Sequence, residues 1–244
     1  MAKKTFIFDL DDTLIANLHD YSFAQLRFVE FVINRLGWNK APDAQTIINL
    51  QVEIDKKNVA KYGFGIERFP TSTKETYQMI CEGVGIKDNV GAEVAYTIGM
   101  TAFNKERYKK KGLVPGAEET LDYLIAQNDE IILCTKGDKK VQEMKIEAIN
   151  AVKWFNDQIY IVDRKNEGVL NQIVGDREKN NVYHVGNGIK SDVNPALEAG
   201  IRAIYIPRET WAYEKDHNGK TESNRLIELK NIVEIKDNYH HIFP

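Results

Sequence analysis

Residues 6–15 read FIFDLDDTLI, an apolar run that meets Asp9, Asp11 and Asp12 within four positions. Carboxylates this close repel one another, and burying them is costly unless positive charge compensates. The three either fan into solvent or gather beside a cation. Side chains alternate along an extended chain, so Asp9 and Asp11 share one side and Asp12 takes the other. Asp12 is therefore expected in solvent or at a helix N-terminus. Four more polar residues stand in comparable settings: Thr135 in ILCTKGD, Lys165 in VDRKN, and Asn187 and Asp192 in VGNGIKSD.

The elements that must position these residues are legible as patterns. Five short apolar runs, TFIFDL (5–10), EIILCT (130–135), QIYIV (158–162), NVYHVGN (181–187) and IRAIYIP (201–207), lack strict polar alternation. Strands covered on both faces read this way. Helical patterns at 116–127, 138–149, 167–176 and 192–200 lie between or beside them. The alternation implies a parallel sheet with right-handed crossovers. In an open parallel sheet, ligands bind beyond the carboxyl ends of the strands. Asp9, Thr135, the Asp163–Asn166 stretch, and Gly186 with Asn187 all fall at such ends. The interval 16–111 differs: it holds helical patterns near 20–36, 43–60, 72–83 and 90–109, broken by Gly and Pro, and no convincing strand. It reads as a helical insertion, with LVPG (113–116) marking the return to the sheet. The expected organisation is an α/β core of residues 1–15 and 112–244 carrying an all-helical domain of residues 16–111.

Bulk properties remove several function classes. The 244 residues are 43% hydrophobic and 28% charged, ordinary for a soluble globular protein. With 33 basic and 36 acidic residues the net charge is −3, which gives no electrostatic case for nucleic acid. The dense basic stretch KERYKKK (105–111) reads as the solvated end of a helix. Cys81 and Cys134 are isolated and form neither a disulfide framework nor a zinc site, so a reducing, cytoplasmic setting is expected. The N-terminal apolar run is too short for a signal peptide, and no run approaches a membrane span. His184 reads as a satisfied core histidine, and no dinucleotide fingerprint or serine-centred elbow is present.

Taken together, DLDDTL at 9–14, Thr135 in ILCTKGD, Lys165 in VDRKN, VGNGIKSD at 185–192 and LVPGAEETLDYL resemble the haloacid dehalogenase-type (HAD) phosphohydrolases with a helical cap. The resemblance covers essentially the whole chain outside 16–111. It implies a doubly wound sheet of HAD-like type with a cap that closes over the strand ends. It implies Asp9 as the nucleophile that forms an aspartyl-phosphate. Asp11 would be the acid that protonates the leaving group and then the base that activates water. Thr135 would hydrogen-bond the phosphoryl group, and Lys165 would balance its charge. Asp9, the Asp11 main-chain carbonyl, Asn187 and Asp192 would hold Mg²⁺, which prefers such oxygen ligands. Asn187 departs from the family pattern, where an Asp is usual, and removes one negative charge.

The expected activity is Mg²⁺-dependent hydrolysis of a small phosphomonoester, by a monomer or homodimer that binds neither nucleic acid nor membrane. A phosphotransferase or mutase on the same scaffold, a non-catalytic binding protein and a phosphonate hydrolase are the competing readings. The last needs a cap lysine, for which Lys56, Lys57 and Lys61 are available. Arg27, Arg68 and Tyr77 are candidate specificity residues in the insertion, and Trp211 and Tyr213 are candidates for the rim of the site.

Overall fold

A computed structural model describes residues 3–208 and 223–243. The chain divides into two compact units, Met1–Leu18 with Lys105–Pro244, and His19–Asn104.

The second unit is helical throughout its described elements: α1 (Leu18–Leu36), α2 (Ala44–Tyr62), α3 (Arg68–Gly83) and α4 (Asn89–Met100). Asp43 caps α2 by accepting from the Thr46 N–H, and Asp88 caps α4 by accepting from Gly91. Phe28, Val32, Ile47, Tyr77, Ile80 and Ala95 build its main apolar core. Between α2 and α3 runs a polar seam instead. Arg68 pairs with Asp55, and Ser72 Oγ lies 2.8 Å from the other Asp55 oxygen and 3.1 Å from Asn58 Nδ2. All four residues are buried.

The single long helix expected over 90–109 is two helices. The chain tightens after Met100 as Ala102 and Phe103 bond back three residues, to Gly99 and Met100. Lys105–Lys111 then forms a helix of its own, α5, in the first unit, with Tyr108 buried among the basic residues.

In the first unit six parallel strands form one sheet: β1 (Thr5–Phe8), β2 (Glu130–Lys136), β3 (Ile159–Val162), β4 (Val182–Gly186), β5 (Arg202–Tyr205) and β6 (Leu226–Glu228). Their order among the described residues is β3-β2-β1-β4-β5-β6, so the chain reverses direction across the sheet on either side of β1. The short β6 escapes sequence pattern because three residues carry no period. The other α-helices among the described residues are α6 (Ala117–Ala126), α7 (Lys139–Ala148), α8 (Val152–Phe155), α9 (Glu167–Val174), α10 (Asn194–Glu198), α11 (Val233–Asp237) and α12 (Tyr239–Ile242).

Two apolar cores explain the unbroken hydrophobic strands. Phe6, Phe8, Leu133, Tyr183 and Val185 point to one face, while Ile7, Ile132, Cys134, Val182 and Ala203 point to the other. Both sheet faces are covered, so every strand position wants an apolar side chain. No helix among the described residues is long and apolar enough to cross a membrane.

Candidate active site

Register places the polar residues. Phe8 pairs with Leu133 on β2 and with Val185 on β4. Asp9 therefore leaves the sheet beside Cys134, with Thr135 next, and its N–H donates to Val185 O at 2.9 Å. On the outer side Lys136 pairs with Val162, and Lys165 follows three residues later, just before α9. Asn187 follows the last residue of β4, and Asp192 sits in the wide helical turn Ile189–Val193.

Four of the expected residues meet in one buried cluster. Lys165 Nζ donates to Asp9 Oδ1 and, at 2.6 Å, to Asp192 Oδ1. Thr13 Oγ1 lies 3.1 Å from Asp9 Oδ2 and 3.3 Å from Asn187 Oδ1. Asp192 Oδ2 accepts from the Gly188 N–H at 2.9 Å, which folds the turn back on itself. Gly186 makes this possible: a Cβ there would lie 2.3 Å from Asp192 Cγ. The Asp192 carboxylate is thus spent on Lys165, Gly188 and His184.

His184 is a core histidine, as the sequence suggests, and its partner is a residue of the cluster. Its Nε2 sits 3.1 Å from Asp192 Oδ1, and its Nδ1 is buried without a hydrogen-bond partner. Burial pulls its ring below the usual histidine range, against the Asp192 hydrogen bond, which acts to raise it. A lone histidine in an apolar strand carries no sign of the aspartate eight positions on, and only the turn after β4 brings them together.

Electrostatics leave the cluster short of positive charge. Burial pushes the Asp9 carboxyl up to about 7; Lys165 opposes the rise, and Asp192 and Asp11 add to it. Burial also acts to raise Asp192, but Lys165 and the His184 hydrogen bond outweigh it and hold that carboxyl below its usual range. Burial alone would lower Lys165, yet Asp192 and Asp9 hold its proton more tightly than usual. One ammonium thus serves two buried carboxylates.

That deficit, with the oxygen donors of Asp9, Asp192 and Asn187, fits a hard divalent cation. Among the described residues no three His, Cys, Asp or Glu side chains form a metal-holding group, so a cation here needs Asn187 or main-chain oxygens as well. Thr135 Oγ1 is fully buried with no hydrogen-bond partner. A buried hydroxyl left unpaired at a strand end is a donor awaiting an acceptor.

Asp11 is held by α7. Its two oxygens accept from Lys145 Nζ at 2.7 and 2.8 Å, and Oδ2 accepts from Gln142 Nε2 at 2.9 Å. The carboxylate is thereby turned onto α7 rather than onto Lys165. Asp12 caps the start of α1, accepting from the N–H groups of Asn17 and Leu18 at 2.7 and 3.0 Å. Arg68 and Tyr77 are engaged within the helical unit, with Asp55 and Asp88 respectively, while Arg27 is exposed. Lys56, Lys57 and Lys61 are not buried, so none has the desolvated setting an imine-forming lysine needs. Trp211 and Tyr213 lie outside the described residues.

The fold matches solved structures over nearly its whole length. A haloacid dehalogenase-like family hydrolase from Xanthomonas campestris superposes with TM-score 0.74 at 22% identity, covering 98% of this chain and 91% of the other. This is the haloacid dehalogenase-like fold. The HAD-fold protein YfnB of Bacillus subtilis, solved bound to magnesium, matches with TM-score 0.58 at 12% identity, covering 98% of each chain. The L-2-haloacid dehalogenase of Xanthobacter autotrophicus matches with TM-score 0.61 at 12% identity, covering 99% of this chain and 100% of the other. No protein-family model and no curated protein matches the sequence. Within the HAD-like fold, the ends of β1, β2 and β4 and the segment after β3 carry Asp9, Thr135, Asn187 and Lys165.

Proposed function

We propose that this protein is a phosphatase acting on small phosphomonoesters through an aspartyl-phosphate on Asp9. The observation that carries the reading is the buried Asp9–Lys165–Asp192 cluster with the unpaired Thr135 hydroxyl at the neighbouring strand end. An Asp9 oxygen attacks phosphorus, a new O–P bond forms, and the ester O–P bond breaks with its electron pair going to the leaving oxygen, which takes the proton of the Asp11 carboxylic acid and leaves Asp11 as the carboxylate. Thr135 donates to a phosphoryl oxygen, and Lys165 offsets its charge. Water then attacks phosphorus and yields its proton to Asp11, and the Asp9 O–P bond breaks with its pair returning to the carboxylate. Mg²⁺ held by Asp9, Asn187, Asp192 and the Asp11 main-chain carbonyl would neutralise phosphate charge that otherwise repels the attacking carboxylate.

Haloacid dehalogenases share the fold and are the rival reading. A departing halide takes no proton, so a carboxylate at position 11 has no task in that chemistry; its presence here favours a phosphate ester. Screening small phosphate esters with and without EDTA, alongside chloride release from 2-chloropropionate, separates the two. Phosphate release that EDTA suppresses is expected, and chloride release without phosphatase activity would sink the proposal. Asp9→Asn should lower turnover by on the order of 10³-fold or more, since the amide is no useful nucleophile.

A further inference from the structure

Lys145 and Gln142 lie three residues apart on one face of α7, and both reach the Asp11 carboxylate. Lys145 is 1% exposed, and its ammonium also sits 5.8 Å from the centre of the Tyr108 ring. Gln142 Nε2 makes a second bond, 3.0 Å to the main-chain oxygen of Lys136, the residue after Thr135. The loop is shaped to admit it: Gly137 has φ 141°, and a Cβ there would lie 2.8 Å from Gln142 Nε2. The α7 face thus ties Asp11 to the strand end that carries Thr135.

A carboxylate oxygen has two lone pairs. Asp11 Oδ2 spends both, on Lys145 and Gln142, whereas Oδ1 spends one on Lys145. We propose that Lys145 and Gln142 are positioning residues that fix the plane of the Asp11 carboxylate and leave Oδ1 as the oxygen that receives the proton of the attacking water. This rests on the aspartyl-phosphate reading above. In the step concerned, the water oxygen bonds to phosphorus, the Asp9 O–P bond breaks with its pair returning to Asp9, and the water proton passes to Asp11 Oδ1.

The pair acts on the second half of the reaction when the leaving group needs no proton. p-Nitrophenolate is such a leaving group, so rapid-mixing kinetics with p-nitrophenyl phosphate isolates the effect. For Lys145→Met, an uncharged side chain of similar length, we expect a burst of p-nitrophenolate of about one per active site. Steady-state turnover after the burst should fall on the order of ten- to a hundredfold, the scale of losing oriented proton transfer. Because only the later step slows, kcat and KM should fall together and kcat/KM should hold within about threefold. Gln142→Met, which leaves the Lys145–Asp11 pair intact, should show a smaller change in the same direction and decides the matter if Lys145→Met does not fold. Wild-type kcat in the folded variants, or a loss of kcat/KM without a burst, overturns the positioning role. A wild-type enzyme that releases no p-nitrophenolate instead overturns the aspartyl-phosphate reading itself.

Discussion

At the scale of single residues, the site turns on how two buried carboxylates divide one ammonium. Asp192 has Lys165, His184 and the Gly188 N–H; Asp9 has Lys165 and Thr13. Asp9 is the poorer in donors and is the one pushed up to about 7 by burial. The sign follows. Between its unfolded value of 3.8 and about 7, the folded protein holds a proton on Asp9 that the unfolded chain has lost. This group's contribution to stability therefore falls as pH rises through that window. A cation at Asp9 favours the anion and reverses the effect. The rise in Tm caused by saturating Mg²⁺ should be larger at about pH 7.5 than at about pH 5.5. Comparing each pH with and without Mg²⁺ removes the opposing contribution of His184, which is lost as pH falls below 6.5. In Asn187→Asp the Mg²⁺ shift should be kept or enlarged, because a third carboxylate replaces a neutral carbonyl. A Mg²⁺ shift that vanishes in that variant would remove position 187 from the cation site.

At the scale of elements, the turn after β4 decides whether Asp192 reaches the cluster. Gly186 closes the strand, and the wide turn Ile189–Val193 brings the Asp192 carboxyl back over it. Gly186→Ala places a methyl group where Asp192 Cγ lies 2.3 Å away, and neither the strand backbone nor the doubly bonded carboxylate can yield cheaply. We expect a loss of stability of about 1–3 kcal/mol from overpacking and a larger proportional loss of turnover, since Lys165 and His184 lose their partner. Thermal unfolding and phosphatase assays on the variant check both, and unchanged turnover would show that Asp192 need not sit there. The same scale explains Asp11. Alternation along the chain puts it on the side of Asp9, but the strand ends at Phe8 and the loop beyond follows its own geometry, with Asp12 at φ 57°. Strand logic therefore stops three residues short of the residue it was used to place.

At the scale of the whole molecule, the chain carries separate cores in its two units, and the polar seam of the helical unit tests their independence. Removing one partner of a buried ion pair strands the other, at a cost of about 3–5 kcal/mol. Asp55→Ala should therefore destabilise α2 and α3, where Arg68 and Ser72 lose the Asp55 carboxylate. Hydrogen exchange read element by element should show faster exchange there and little change in β1 and β4. Equal acceleration in the sheet would mean that the two units unfold as one. The polar seam also explains why the helical unit is harder to read than the sheet. Gln51, Asp55 and Asn58 occupy buried positions of α2 that an apolar stripe would normally mark.

The sequence by itself determined five of the six described strands, all but the three-residue β6, and where their polar residues stand, because strands buried on both faces must be apolar and the first polar residue beyond them marks an end. It determined equally that Asp9, Thr135 and Lys165 lie along one edge, since a parallel sheet sends every strand end to the same side. Tertiary structure alone decided which side chains share hydrogen bonds there. The pairing of His184 with Asp192, and of Lys145 and Gln142 with Asp11, depends on a wide turn folded over a glycine and on the face α7 presents. Such contacts join residues up to 134 positions apart in the chain, so they leave no local period or spacing to read.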